Sequence, residues 1–289
     1  MAISRRDFLK LVGAGAVAFS LPASRVQAKG RFVRAENSHA MLYDSVKCVG
    51  CRACQTACKA RSGLPYEPDP TGLYEMPRDL SANTWTIIKL YDGPQQDAFV
   101  KQQCMHCIDP ACVSVCPVAA LEKTPEGPVI YHGERCIGCR YCMAACPFGI
   151  PKSQWDKALP LIQKCDFCAD RLAAGGKPAC GEACPTGALI YGSRKQMLET
   201  AHERLNADAT YFPHVYGETE AGGTSMLYIS NVNYTNLGLP KLPEKELPSI
   251  TWPYMAAVPA VIGVMVTLST GIYLRTHRGE NGASKKKEE

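Results

Sequence analysis

The chain has 289 residues, enough for one large domain or two small ones, and its 16 cysteines are about twice the number that an ordinary chain of this length carries, or more. The formal net charge is +5, and no basic stretch is interleaved with aromatic residues, which leaves nucleic-acid binding with little support. Cysteine chemistry therefore dominates what this chain can be and do.

The first 28 residues have the pattern of an export signal. The segment Ser4–Lys10 contains the pair Arg5-Arg6, and the apolar run Leu11–Leu21 follows it. This order is typical of twin-arginine signals, and the run is too short to cross a bilayer. We therefore predict a twin-arginine signal peptide over residues 1–28, against the alternative of a chance arginine pair before a surface helix.

The body of the chain shows short strand patterns. Strands are predicted at Met41–Tyr43, Thr84–Tyr91, Ala98–Lys101, Gly127–Tyr131 and Met226–Ile229. The second and third are expected to pair across the turn that Tyr91–Pro94 supplies. Gly63–Leu80 is rich in Pro, Gly and acidic residues and predicts an irregular surface loop.

Two further segments predict helices. Pro117–Leu121 is expected to be a short helix, and Ser193–Asn206 a longer one. In the longer segment, the apolar residues that are spaced for one face are Met197, Leu198, Ala201 and Leu205. The order Cys-Pro, turn and strand occurs after Cys116 and again at Pro185–Tyr191, which indicates an internal repeat.

The segment Ile250–Leu274 carries no charged residue and is long enough for a tilted membrane span. Trp252 and Tyr254 lie at one edge and Tyr273 at the other, as interface belts prefer. The alternative is a buried core helix. The tail 275–289 is basic, so the positive-inside rule predicts a cytoplasmic C-terminus and a main domain on the periplasmic side.

All 16 cysteines fall into four runs of four. Run I is Cys48, Cys51, Cys54 and Cys58; run II is Cys104, Cys107, Cys112 and Cys116; run III is Cys136, Cys139, Cys142 and Cys146; run IV is Cys165, Cys168, Cys180 and Cys184. Run III has the C-x2-C-x2-C-x3-C-P spacing of bacterial ferredoxins, and run II differs only by a wider middle gap.

This spacing has a chemical reason. Three thiolates on a tight loop can bind three irons of one cubane, and the fourth, carried away as a helix starts, reaches a different cluster. Such runs therefore come in pairs, and sixteen thiolates meet the requirement of four 4Fe–4S clusters. The twin-arginine route carries folded, cofactor-loaded proteins, which suits clusters assembled in the cytoplasm.

Two other interpretations of the cysteines stay open. A disulfide scaffold suits an exported chain, but such frameworks rarely repeat C-x2-C. A zinc-bearing structural scaffold without a redox role also uses C-x2-C pairs. Each zinc ion, however, needs two such pairs close together. A run of this spacing offers three close thiolates and a fourth that lies apart from them. No phosphate loop, hydrolytic triad or cofactor fingerprint is found, so we predict no catalytic site, and whether the chain counts as an enzyme stays open.

Other polar residues near the runs are expected to lie at the surface. The basic ones are Lys47, Arg52, Lys101, Arg140 and Lys164, which we interpret as solvated cations rather than as residues that tune the clusters. His106 lies inside run II, where a full set of cysteines needs no histidine. It is expected to point outward.

With these motifs, the chain resembles the four-cluster iron–sulfur subunits of membrane-bound respiratory oxidoreductases. The likeness covers about residues 40–235 and includes Lys101–Cys107, Cys146–Pro151 and Gly222–Ser225 besides the four runs. It implies an α+β fold of two ferredoxin-like lobes, each with two 4Fe–4S clusters and little regular structure, plus one C-terminal transmembrane helix. Residues 29–103 and 147–247 would form the outer lobe, and residues 104–146 an inserted central module.

The resemblance also implies which cysteines share a cluster. Set 1 would be Cys48, Cys51, Cys54 and Cys184; set 2 would be Cys58, Cys165, Cys168 and Cys180; set 3 would be Cys104, Cys107, Cys112 and Cys146; set 4 would be Cys116, Cys136, Cys139 and Cys142. Some members replace the second cysteine of run III by Trp and hold a three-iron cluster. Here that position is Cys139, so four 4Fe–4S clusters are expected.

A signal peptide together with a tail anchor is most similar to the electron-transfer subunit of quinone-linked nickel–iron uptake hydrogenases. The implied function is an electron relay. One end would be a periplasmic hydrogenase with its small and large subunits, and the other an integral membrane subunit that interacts with quinone. The implied location is the inner membrane, with a single pass at 250–274. The alternative is the electron-transfer subunit of a formate dehydrogenase or of another molybdopterin oxidoreductase.

Overall fold

The computed structural model describes residues 37–66, 79–93 and 97–284, with side chains described as far as residue 276. The predicted signal peptide, most of the predicted surface loop and the last five residues lie outside these ranges. The described part divides into two units. One ends at Pro248, and the residues from Ser249 onward belong to the other.

The regular elements are short, apart from two helices. The strands are β1 (His39–Asp44), β2 (Ile87–Tyr91), β3 (Ala98–Gln102), β4 (Leu121–Lys123), β5 (Val129–Tyr131), β6 (Lys152–Ser153), β7 (Ile162–Gln163), β8 (Leu189–Ser193) and β9 (Met226–Ile229). The α-helices are α1 (Ala53–Ser62), α2 (Ala111–Ser114), α3 (Tyr141–Ala145), α4 (Ala169–Ala173), α5 (Ala179–Glu182), α6 (Arg194–Ala207) and α7 (Leu247–Ser284). This mixture of helix and strand with little regular structure confirms the predicted fold class.

Strand β1 lies at the centre of a three-stranded sheet in the order β8-β1-β9. It is antiparallel to β8 and parallel to β9. Successive side chains of a strand point to opposite faces. Accordingly, Met41 and Tyr43 belong to one buried cluster, and Ala40 and Leu42 to another on the opposite face. The sheet is thus buried on both sides, which explains why β1 is apolar without a break.

Helix α6 covers one face of this sheet. It begins in a capping box, in which Ser193 accepts from the backbone N–H of Gln196 while the Gln196 side chain accepts from that of Ser193. Met197 and Ala201 are buried against Ala40 and its neighbours. The helix predicted at Ser193–Asn206 is therefore confirmed, with its apolar face against the sheet.

Runs II, III and IV each follow a small hairpin, whereas run I follows strand β1. Strands β2 and β3 pair antiparallel, with Ile87 opposite Gln102 and Tyr91 opposite Ala98, as predicted. Strands β4 and β5 form a second hairpin, and β6 and β7 a third. The first hairpin brings Lys101 close to run I and leads directly into run II.

The short helix predicted at Pro117–Leu121 is wrong. Residue Ala119 has a left-handed backbone, with φ +50°, so the chain turns there and enters strand β4 at Leu121. The turn lets the backbone N–H of Ala120 donate to the Cys116 sulfur at 3.2 Å. A helix would have carried this N–H toward a carbonyl instead.

Helix α7 contains the predicted span 250–274 and continues through Pro253 and Pro259. By length and composition Leu247–Thr276 could cross a membrane, and its apolar window is not buried inside the protein, unlike a core helix. The hydroxyls of Thr267 and Thr270 each donate to the carbonyl four residues earlier, at 2.8 Å. Polar groups on this helix thus find partners within it, as a lipid environment demands.

Candidate metal-cluster sites

The four C-x2-C loops share one backbone feature. In each, the residue before the second cysteine has a left-handed conformation; these residues are Gly50 (φ +68°), His106 (φ +46°), Gly138 (φ +72°) and Phe167 (φ +62°). Non-glycine residues seldom adopt this region and are tolerated there where function requires the turn. The turn reverses the chain between two cysteines, which allows both to serve one ligand.

The third cysteine of every run occupies the same place in its element. It is the second residue of a helix in all four cases, namely Cys54 in α1, Cys112 in α2, Cys142 in α3 and Cys180 in α5. In runs I and III the residue after the second cysteine, Arg52 or Arg140, is also left-handed. These coincidences show that the internal repeat extends to backbone geometry.

The thiols have specific neighbours, which their pKa values reveal. Burial raises the pKa of Cys54, and the thiols of Cys48, Cys184 and Cys51 raise it further. The same four cysteines, with Lys101 and Arg52, line one cleft.

Around Cys142 the pattern repeats with cysteines of runs II and III. Burial raises its pKa to about 11, and Cys116, Cys136 and Cys139 add to the effect. These four cysteines therefore also lie close together.

The remaining two groups are more deeply placed. Burial raises the pKa of Cys107 well above its usual value, with contributions from Cys104, Cys112 and Cys146. Around Cys58, burial is again the largest cause. Burial raises its pKa to about 12, and the thiols that add to it are Cys180 and Cys168.

Single thiols connect one group to the next. Cys54 acts on the pKa of Cys180, Cys104 acts on that of Cys165, and Cys142 acts on that of Cys112, in each case after the larger effect of burial. The four groups therefore form a series. Cys51 and Cys139 are exposed at its two ends, whereas cysteines in the middle, such as Cys165 and Cys180, are buried.

The thiols are not tied up in disulfides and so are available to bind a metal cluster. All sixteen are free, so a disulfide scaffold is not what this fold contains. Backbone N–H groups donate to the sulfurs of Cys116, Cys136, Cys165 and Cys184 at 3.2–3.4 Å. Such donors stabilise thiolates that carry metal-cluster charge.

Four lysines are buried in the described ranges, and besides Lys59 three of them lie unexpectedly deep among these loops. Lys101 is 0%, Lys164 5% and Lys123 9% exposed, so the prediction that Lys101 and Lys164 are solvated cations is wrong. Lys47 and Arg140 are exposed, as predicted, and the guanidinium of Arg140 stacks over an indole ring at 4.2 Å. The burial of Lys123 could not be predicted from the sequence, because the residues around it do not indicate that strand β4 is buried.

The buried lysines supply a test of whether a metal cluster fits here. Their ammonium groups donate to uncharged oxygens, and within the described ranges none of the three lies within ion-pair distance of a carboxylate. An isolated buried charge is costly unless an opposite charge is near. Anionic clusters on the surrounding thiolates would provide that charge, so the residues fit such groups.

The prediction for His106 is also wrong, because its ring points inward. It is 1% exposed, its Nδ1 accepts from the backbone N–H of Val129 at 2.9 Å, and its ring packs edge-on against Phe167 at 4.8 Å. Burial lowers its pKa well below the usual value, and Lys164 and Lys123 lower it further. A neutral ring with this packing is part of the loop core.

Zinc would require a different arrangement. Its ligands lie at about 2.0–2.3 Å from a single ion, so their donor atoms crowd together. Among the residues that the structure describes, no three His, Cys, Asp or Glu side chains are grouped closely enough to hold one ion. The zinc interpretation therefore gains no support from the geometry.

Residues 95–194 match the family described as the 4Fe-4S dicluster domain. This range contains runs II, III and IV. Together with the free thiols and the repeated loop geometry, the match defines the class: the protein is a ferredoxin-like iron–sulfur protein that binds 4Fe–4S clusters and transfers electrons.

Similar proteins identify the family. HybA, the Hydrogenase-2 operon protein of Escherichia coli O157:H7, is 38% identical over 277 residues, which cover 83% of this chain and 84% of HybA. The nitrate-inducible formate dehydrogenase iron-sulfur subunit of Escherichia coli K12 is 35% identical over 285 residues, covering 94% of this chain and 93% of that subunit. A protein of Nitratidesulfovibrio vulgaris is 41% identical over 298 residues, covering 99% of this chain. The chain belongs to the family that contains HybA and the iron–sulfur subunits of formate dehydrogenases.

Proposed function

We propose that this protein relays electrons between a periplasmic hydrogenase and a quinone-reactive membrane subunit, using four 4Fe–4S clusters. The observation that carries the proposal is the series of four thiol groups, which runs from the exposed Cys51 through a buried middle to the exposed Cys139. A relay needs ends that partners can approach and a middle that excludes water. The similarity to HybA favours a hydrogenase as the electron donor.

The residues that would hold the clusters are sets 1 to 4. The neighbours found around Cys54, Cys107 and Cys142 coincide with sets 1, 3 and 4, and those around Cys58 with set 2. A bound 4Fe–4S cluster supplies one-electron redox chemistry. The chain's own contribution is to fix the thiolates on rigid turns, keep water from sets 2 and 3, and offset cluster charge with buried ammonium groups.

The same proposal includes the domain division and the membrane topology. An outer lobe of 29–103 and 147–247 would enclose the central module 104–146. A twin-arginine signal over 1–28 would export the loaded protein. The span 250–274 would then anchor it, with the tail 275–289 in the cytoplasm. The apolar sequence of α7 and the basic residues after it support this orientation.

A second candidate is the electron-transfer subunit of a formate dehydrogenase. The formate dehydrogenase subunit of Escherichia coli K12 aligns over more of this chain than HybA does, 94% against 83%. Purification from detergent-solubilised membranes of the native host separates the two. A co-purifying nickel–iron enzyme supports the hydrogenase, whereas a molybdopterin enzyme contradicts it in favour of the second candidate.

The ligand sets are tested by Cys146→Ser, with Cys139→Ser as the matched control in the same run. Cys146 is proposed to serve the cluster of Cys104, Cys107 and Cys112, so its replacement should remove the EPR signal of set 3 and leave that of set 4. Cys139→Ser should do the reverse. If both variants lose the same signal, the proposed exchange of ligands between runs II and III is wrong.

A further inference from the structure

Lys101 occupies an unusual place for a charged residue. It belongs to strand β3, opposite Ile88 of β2, and its side chain is fully buried. Its ammonium group donates to the hydroxyl of Thr86 and, at 2.5 Å, to Oε1 of Gln103. Both acceptors are neutral, so the positive charge is held in position but is not compensated by them.

This charge faces the thiols of two sets at once. Lys101 lines the cleft that contains the four cysteines of set 1. Burial raises the pKa values of Cys54, Cys58 and Cys180, and Lys101 is the largest influence that opposes it in each case. Cys54 belongs to set 1, and the other two belong to set 2. Lys101 therefore lies between these two sets.

Lys101 itself is arranged to remain an ammonium ion. Its Nζ donates to two oxygen acceptors, the hydroxyl of Thr86 and Oε1 of Gln103, as an ammonium group does, and its side chain lines the same cleft as Cys54. The other charged pair near set 2 is already matched, since Arg61 binds Asp166 at 2.6 Å. Lys101 thus lacks a carboxylate partner within the described ranges, and it shares the cleft of set 1 with Arg52.

Resting on the ligand sets proposed above, we propose that Lys101 is a positioning residue that raises the reduction potentials of the clusters in sets 1 and 2. Reduction adds one electron to a cluster that is already anionic, and a fixed positive charge nearby stabilises the reduced form. No proton moves, because Lys101 keeps its own. The other two sets have separate cations, Lys123 near Cys107 and Lys164 near Cys112.

The test is Lys101→Met in the full-length protein, purified within its membrane complex, with each cluster followed by EPR during a redox titration. Methionine keeps much of the length of the side chain and removes the charge. Two of the cluster potentials should fall. At a fixed solution potential, the ratio of oxidised to reduced cluster should rise at least about tenfold for these two, which corresponds to about 59 mV for a one-electron couple.

Lys123→Met is the matched control, because it removes another buried ammonium group that faces set 3. It should shift a different cluster and leave those affected by Lys101→Met unchanged. A merely structural role for Lys101 would lower stability without moving any potential. Unchanged potentials, or an equal shift in all four clusters, would overturn the proposal.

If Lys101→Met fails to assemble, Thr86→Val gives a second test. It keeps the ammonium charge but removes one of the two oxygens that accept its hydrogen bonds. The reduction potentials of the same two clusters should therefore shift by a smaller amount. No shift there contradicts the proposal. Iron and sulfide content of the unmodified protein separates this outcome from a failure of the proposed function, since a sample without clusters would refute both.

Discussion

Alanine at Gly50 should destabilise the protein more than alanine at Gly138, although the two glycines occupy equivalent places in runs I and III. Both have left-handed backbones, with φ +68° and +72°, so each replacement costs about 1–2 kcal/mol in backbone strain. A Cβ atom on Gly50 would also lie 2.4 Å from Cε1 and 2.5 Å from Cζ of Phe99, whereas nothing lies within 4 Å of one on Gly138. Overpacking of this kind costs about 1–3 kcal/mol more.

The assay is the release of iron from the loaded, full-length protein to a chelator. If release requires the loop to open, the extra 1–3 kcal/mol makes Gly50→Ala lose iron about 5- to 150-fold faster than Gly138→Ala. Combining Gly50→Ala with Phe99→Ala should recover the packing part of this loss in a double-mutant cycle. Equal rates for the two alanine variants, or no coupling to Phe99, would refute the reasoning.

Three further predictions test other parts of the account. Tyr228→Phe removes a hydroxyl that is buried without a partner in the described ranges and lies near thiols of sets 2 and 3. We expect lower potentials for these two clusters in a redox titration and no loss of thermal stability; unchanged potentials would mean that the hydroxyl does not face them. In the unmodified protein, the Arg204 guanidinium lies 2.8 Å from the fully buried carboxylate of Asp44. Asp44→Ala removes this partner. It should lower the free energy of unfolding by about 3 kcal/mol, and a loss below about 1 kcal/mol would contradict this. Removal of residues 249–289 should move the protein from the membrane fraction to the soluble one, and continued sedimentation with membranes would count against the anchor.

Local patterns were enough to predict most of the regular structure. The pairing of β2 with β3 follows from two apolar segments separated by a turn, and helix α6 from its single apolar face. The short helices of the cysteine loops and strands β4, β6 and β7 were not predicted, and the prediction for Pro117–Leu121 is wrong. The composition of this segment permits a helix, but the chain adopts a left-handed turn at Ala119 and directs a backbone N–H at the Cys116 sulfur. The hydrogen bond to the cysteine sulfur therefore outweighs the helix preference of the local sequence.

The cysteines could be found from the sequence because their spacing is a chemical requirement, whereas their cationic surroundings could not. Lys101 and Lys164 resemble any surface lysine in sequence. They are buried because strands and loops that are distant in the chain close around them. His106 is misread for the same reason, since its partners Val129 and Phe167 belong to later segments.

The central claim is that these thiolates hold iron–sulfur clusters through which electrons pass. It is tested most directly by the iron, zinc and acid-labile sulfide content of the intact, purified protein, together with its visible absorbance before and after reduction. Four 4Fe–4S clusters contain 16 irons and 16 sulfides per chain, as many of each as there are cysteines, and their visible absorbance should fall on reduction. A colourless protein that contains zinc and no inorganic sulfide would contradict it.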